Sequence, residues 1–307
     1  MHEIRLNVQE SHIEEVTRLA LAAGVGRVSV YDVFVYGPNQ SRKVASIETS
    51  TPRAKAFVDA LFAAEWFVPA ECSITTRELR AIVTEDPLRE VTRPMIEPAL
   101  DMLEDLWQLS HVTPSYIGRA MGAAVLMAYG MFENSAISIV VAALFLPFLS
   151  QVLAISFGLW VRDRGLAKQG LFALCISSVL SIAAGVLMAL LHRGPLLFDD
   201  FKTPLVSLGI SSIIGITAGL ASADDTGRRY LIGVAAAVQY AVVPVWIGIS
   251  MVRGFPDPHV ITERISTFGI NLATIAGMAA VVYAWTGMRN EDVDRFHSKV
   301  AAVRESR

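Results

Sequence analysis

Two prolines and a few neutral polar residues stand inside long apolar stretches, and they are the residues with chemistry to offer. Pro147 lies in the run Ala142-Ala143-Leu144-Phe145-Leu146-Pro147-Phe148-Leu149-Ser150-Gln151, so Ser150 and Gln151 follow it within a turn. Pro244 lies in Gln239-Tyr240-Ala241-Val242-Val243-Pro244-Val245-Trp246, with Gln239 and Tyr240 four or five residues ahead of it. A proline inside a helix removes one backbone hydrogen bond and clashes with the preceding turn, which kinks or breaks the helix and frees carbonyls. In a bilayer, such carbonyls and neutral side chains can replace part of the hydration shell of an ion or small solute. The same amides and hydroxyls can instead tie helices together. Both readings stay open for Ser150, Gln151, Gln239, Tyr240 and Asn271, the last standing in another apolar run. No Asp or Glu lies well inside an apolar stretch, and Glu133 falls at a loop edge, which argues against a carboxylate proton relay.

Other chemistries find little support. There is no glycine loop ending in Lys-Ser or Lys-Thr and no His-Glu-x-x-His, and His111, His192 and His259 lie singly, so an enzyme is not expected. Cys72 and Cys175 fall in different regions without metal-ligand spacing and read as reduced structural thiols; neither a metal nor a cofactor is expected. The net charge of −3 and the absence of a long basic run exclude nucleic acid as an expected partner.

The elements that must position these residues belong in lipid. The 307 residues are 53% hydrophobic and only 18% charged, with a mean hydropathy of +0.47, where soluble domains carry nearer a quarter charged. From Tyr116 to Met288 the charges sit in short clusters between apolar runs. Six runs approach the roughly twenty residues that a spanning helix needs: Ser115 to Met131, Ala136 to Val161, Gln169 to Leu191, Leu205 to Ala223, Tyr230 to Val252 and Ile265 to Gly287. Both prolines fall near mid-span, in the second and fifth. Three spans per half is an odd number, so two such halves lie in opposite senses, as in inverted-repeat transporters. Small residues at four-residue spacing, Gly118 with Gly122 and Ser211 with Gly215 and Gly219, are expected to let helices pack closely.

Arg162, Arg164, Lys168, Arg228 and Arg229 mark one side of the membrane, together with the basic residues after the last span. The positive-inside bias and an N-terminus without a signal-peptide pattern then place both termini in the cytoplasm, with the spans in the cytoplasmic (inner) membrane.

Ahead of the spans, residues 1–110 alternate apolar and charged positions as a soluble domain does, and residues 1–85 form one domain. Glu3 to Val8 reads as a strand, Ser11 to Ala23 as a helix with a Ser11 cap, Arg27 to Tyr36 and Lys43 to Glu48 as a hairpin, Thr51 to Phe67 as a second helix, and Cys72 to Val83 as a last strand. That βαββαβ order is the split pattern of an α/β ferredoxin-like domain, which can pair through a sheet edge or bind a small effector. Residues 86–114, broken by Pro87, Pro94 and Pro98, carry Ile96, Leu100, Leu103 and Trp107 at helical spacing and read as an amphipathic linker. Trp107 fits either the headgroup level or a place packed on the head. Residues 115–288 form the membrane domain and 289–307 a cytoplasmic tail.

Three strings, Asn134-Ser135-Ala136 leading to Leu146-Pro147, Gly233-Val234-Ala235 leading to Val243-Pro244, and Asn271-Leu272-Ala273-Thr274-Ile275, resemble the prokaryotic family called domain of unknown function 389. The resemblance extends over nearly the whole chain and implies a ferredoxin-like head on a hydrophobic membrane domain. Relatives carry Gly-Ala-Met before the first proline, a second proline soon after it, and a Pro-Pro pair in the fifth span. Here Ala142-Ala143-Leu144, Gln151 and a lone Pro244 stand there, so a site typical of relatives is altered in this chain, while Asn271 keeps the pattern.

The expectation is therefore a homo-oligomeric polytopic α-helical membrane protein that moves a small solute or ion. The alternative is a membrane-anchored sensor or scaffold whose head binds an effector or partner.

Overall fold

A computed structural model describes residues 2–35, 40–68, 72–78, 99–224 and 241–288. The chain divides into two compact units, the first built on residues 1–99 and the second on residues 100–288.

In the first unit, β1 (His2–Val8) leads through a 3-10 turn at Glu10–His12 into α1 (Ile13–Ala22). Strands β2 (Val28–Val35) and β3 (Gln40–Thr49), helix α2 (Thr51–Ala63) and strand β4 (Ser73–Glu78) follow. The four strands form one antiparallel sheet in the order β2-β3-β1-β4, the split arrangement expected from the element order. Register explains which face is buried. Ile4 opposes Ile47 and Leu6 opposes Ala45, while Ile74 of β4 lies across from Leu6. Alternation then sends Ile4, Leu6 and Val8 to one face, where they pack with Val16 and Ala20 of α1 and Phe57 and Leu61 of α2.

Two local expectations need correction. Ser11 does not cap α1, because it lies within the 3-10 turn and the helix begins after His12 with no side-chain cap. Helix α2 stops at Ala63 instead of reaching Phe67. Ala64 is extended there, and Trp66 and Phe67 pack back onto the core from a loop, Trp66 stacking on His12 at 4.8 Å. The α1 exit is as the glycines imply: Gly24 has φ of 82° and Val25 N–H bonds Ala20 O at 3.0 Å.

The second unit is helical. Its elements are α3 (Ala99–Leu109), α4 (Pro114–Phe132), α5 (Ala136–Phe145), α6 (Phe148–Trp160), α7 (Arg164–Leu191), α8 (Pro204–Ala223), α9 (Val242–Arg253) and α10 (Pro258–Trp285). Among the described residues three of these, α7, α8 and α10, are long and apolar enough to cross a membrane, and the bent pair α5 and α6 makes a fourth if taken as one span. Only 22% of the apolar window of α10 is buried within the chain, and Ile137, Leu205 and Trp285 are almost fully exposed. A helix apolar on its outward face as well as its inward one needs hydrocarbon around it, so the unit is that of a membrane protein.

Of the six expected runs, the described residues show three as long apolar helices and a fourth as the bent pair. Helix α4 is 19 residues long but carries Arg119 among several small and polar residues. Of the fifth run only the Val242–Arg253 helix lies among the described residues, which excludes Gln239, Tyr240 and the loop arginines Arg228 and Arg229. Residues 86–98 of the linker and the whole tail also lie outside them. Within α3, Trp107 sits beside Gly165 at the start of α7, 3.2 Å from where a Cβ would stand, and Gln169 Nε2 donates to Ser110 O at 2.9 Å.

Small residues set the helix crossings. A Cβ added to Gly215 would stand 2.8 Å from Ile275 O, and one on Gly219 would stand 2.9 Å from Val282 Cβ, so the Ser211, Gly215 and Gly219 stripe of α8 faces α10. Gly118 and Gly122 behave differently from expectation. Both are exposed with nothing within 4 Å of an added Cβ, and α4 instead approaches α5 at Gly130. The tightest crossing joins α7 and α9, where an added Cβ on Gly185 or Gly248 would collide with the carbonyl oxygens of Val245 and Ile182.

Candidate functional site

The break at Pro147 is a true interruption. Helix α5 ends at Phe145, Leu146 is extended, and α6 begins at Phe148 with its axis turned by 44°. Ser150 Oγ donates to Pro147 O at 2.9 Å, which satisfies the carbonyl at the start of α6. Phe148 lies edge-on to Phe268 of α10, centroids 6.5 Å apart, so the break adjoins the Arg264 to Asn271 stretch of α10. Pro244 sits in the first turn of α9, where a proline's missing N–H disturbs no helical bond.

Gln151 is fully buried. Its Nε2 donates to the Tyr116 hydroxyl and to Ser177 Oγ at 2.7 Å, its Oε1 lies 3.0 Å from the same Ser177 oxygen, and the Tyr116 hydroxyl donates on to Ala173 O at 2.9 Å. Three helices, α4, α6 and α7, are tied through one amide with no polar atom left over. Of the two readings open for Gln151, this geometry is that of a tie.

Asn271 is arranged otherwise. It is 5% exposed, its Oδ1 accepts from Ser207 Oγ at 2.9 Å, and among the described residues its Nδ2 donates to no protein group. It lines a cavity of about 350 Å³, with Ser207 of α8, Val242 and Val243 of α9, and Val260, Arg264 and Thr267 of α10 around it. Asp199, Asp200, Phe201, Lys202 and Thr203, from the loop between α7 and α8, and Glu263 complete the lining.

The loop is fixed in place. Phe198 N–H bonds Met131 O at 3.0 Å, His192 stacks on Phe132 at 4.5 Å, and Arg253 reaches His192 O across the same ring. Phe201 can therefore serve as a wall. The Arg264 guanidinium lies in the angle between Phe201 and Trp246, 3.7 and 4.1 Å from the two ring centroids, and the rings meet at 70°. Its nearest carboxylate oxygen, of Asp199, is 3.7 Å away. Lys202 pairs with Asp200 at the rim.

Sequence reasoning singled out Asn271 and missed Arg264, Ser207, Phe201 and Trp246. A signal was present. Val260, Arg264, Thr267 and Asn271 recur at steps of four, three and four, which puts them on one stripe of a helix. Starting the sixth apolar run at Ile265 leaves Arg264 and Val260 outside it, which hides that stripe. Among the described residues no three His, Cys, Asp or Glu side chains assemble as a metal set.

The fold and the pocket define a class: a helical membrane protein with a small α/β head. Residues 140–277 match the family described as Domain of unknown function (DUF389). The matched stretch holds the Pro147 break, Gln151 and every lining residue of the pocket, while Tyr116 and the head lie outside it. No curated protein and no solved structure matches the chain.

Proposed function

We propose that the second unit moves a small solute or ion across a bilayer. One observation carries the reading: a cavity of mixed polar and apolar lining that includes a buried amide, Asn271, within helices whose other faces are apolar. A buried polar group in a membrane helix is retained for a tie or for a path, and Asn271 has an amide nitrogen to spare for the path. The break at Pro147, beside the same stretch of α10, supports it, because helix interruptions at cavities are where carriers bind their cargo.

In this reading six spans form two inverted halves of three, with Pro147 and Pro244 at corresponding places and both termini in the cytoplasm. The pocket mouth then faces the opposite side, with Arg193, Lys202, Arg253 and Arg264. The protein works as a homo-oligomer and performs no covalent chemistry.

Purified protein in liposomes should pass a small solute, and Asn271→Leu should reduce that flux about tenfold or more while leaving the thermal transition in detergent within a few degrees. Liposomes that pass no ion or metabolite would end the proposal.

A second reading has its own observation. The sheet face away from α1 and α2 is concave, about 480 Å³, and is lined by Glu3, Arg5, Asn7, Ser46, Glu48 and Thr75 among others. Glu3 and Arg5 pair at 2.6 Å, and Asn7 Oδ1 is buried without a hydrogen-bond partner. A polar effector bound there would make the head a sensor. Removing residues 1–85 separates the readings: flux that persists but loses its regulation favours the transporter, and an intact membrane unit that passes nothing with or without the head favours the sensor.

A further inference from the structure

We infer that the Arg264 pocket binds a small organic carboxylate, through a charge-assisted contact to Arg264 and a hydrogen bond from Asn271. The inference rests on the transport reading for the purpose of the pocket, though the binding itself can be tested without it.

The pocket holds unmet donors. A guanidinium has five N–H groups and no means of neutralising itself in a protein. The Arg264 side chain is only 18% exposed, and among the described residues its N–H groups make no hydrogen bond. The two aromatic rings hold its charge but accept no N–H in the ordinary sense, so a partly buried cation in the cavity lining is left with unmet donors. Two helical turns further along α10, about 10 Å, Asn271 leaves Nδ2 unpartnered. Both are donors, so the complementary ligand is an acceptor with negative charge.

The three acidic residues of the lining are exposed, which weakens their repulsion of an anion at the inner wall. Asp199 is 93% exposed, and Asp200 is 65% exposed and paired with Lys202. Glu263 is also exposed, at the mouth. These charges sit in water, where screening weakens them. The inner wall, from Arg264 through Ser207 and Thr267 to Asn271, carries no acid. Asp199, held at 3.7 Å, is a loose partner that an entering anion displaces at little cost.

The choice of carboxylate follows from the remaining walls. Val242, Val243 and Val260 are apolar and cannot hydrogen-bond the extra oxygens of a phosphate or sulfate, whereas they suit a short hydrocarbon chain. A planar carboxylate also matches the fork of a guanidinium. A cavity of about 350 Å³ lies at the small end of ligand pockets, which limits the ligand to a few carbon atoms.

The test uses the full chain in mild detergent with sodium propanoate as probe and sodium chloride at equal ionic strength as control, read by titration calorimetry and thermal shift. Saturable propanoate binding is expected, weakened at least tenfold by Arg264→Gln and by Asn271→Leu, and only partly restored by Arg264→Lys, which keeps the charge and loses the fork. If Arg264→Gln fails to fold, Asn271→Leu and Thr267→Val carry the comparison. The inference is overturned by heat that does not saturate, by binding equal in the variants and the parent, or by phosphate binding in place of propanoate. Propanoate uptake by liposomes then separates the two claims. Binding without uptake of any solute sinks the transport reading and leaves the site standing; uptake of another solute without propanoate binding sinks the site alone.

Discussion

Gln151 and Asn271 are both amides buried among apolar helices, and what each amide reaches decides its use. Gln151 spends every polar atom on Tyr116 and Ser177, so its replacement should be felt as stability. Gln151→Leu is expected to lower the stability of the membrane unit by about 1–2 kcal/mol, since it strands two hydroxyls that retain other partners. Denaturation in mixed micelles measures this, and flux per folded molecule should stay near that of the parent. A Gln151→Leu protein of normal stability with altered flux would move Gln151 from tie to path. In the head, Phe57 is fully buried between α2 and the sheet. Phe57→Ala should cost about 3–5 kcal/mol, read from chemical unfolding followed by circular dichroism.

Broken and crossing helices carry the next set of consequences. Pro147 ends α5, yet Ser150 and the turn after it satisfy the local carbonyl, so the 44° bend is held by more than the proline ring. Pro147→Ala is expected to leave stability nearly unchanged or slightly raised, by restoring one N–H donor, while changing the angle between α5 and α6. Transport should fall severalfold with an unchanged melting temperature; loss of both together would mean that the bend is needed only for packing. The α7 and α9 crossing is the less forgiving one. At Gly248 any side chain meets the backbone of α7, which cannot swing away as a side-chain tip can. Gly248→Ile should cost about 3 kcal/mol and lower the yield of folded protein in membranes. The same change at Gly122, with open space around it, should be silent in the isolated protomer. A Gly122→Ile defect appearing only in the assembled protein, by light scattering in detergent, would mark that face as the contact between copies.

The chain is two units with separate requirements. The head buries a closed set of residues, Ile4 to Cys72, between one sheet face and two helices, and needs nothing from lipid to complete that core. Residues 1–85 alone should therefore give a soluble fragment with a single cooperative thermal transition, as seen by circular dichroism; a molten fragment would show that the head depends on the rest of the chain. The second unit has the reverse property. Its helices are apolar outward as well as inward, so it should stay folded only in detergent or lipid.

Much of this was legible in residue order. Period-two alternation and turn residues define the head's strands, and long apolar runs define helices that belong in lipid, because each signal is local and repeats within a dozen residues. Pro147 announced its break for the same reason: the missing N–H and the ring clash act on the proline's own turn. The Ser211, Gly215 and Gly219 stripe was legible as a packing face, but its partner, α10, was not. Gly118 and Gly122 have the same spacing and face outward, since spacing cannot say which side of a helix meets another. The sequence by itself determined the class, an α/β head on apolar helices, and singled out Asn271. Only the tertiary structure decided that Gln151 is a tie while Asn271 lines a cavity, and that Arg264 lies between Phe201 and Trp246. Those residues come from helices and a loop far apart in the chain, and the geometry that makes one amide saturated and another free exists only once those elements are packed.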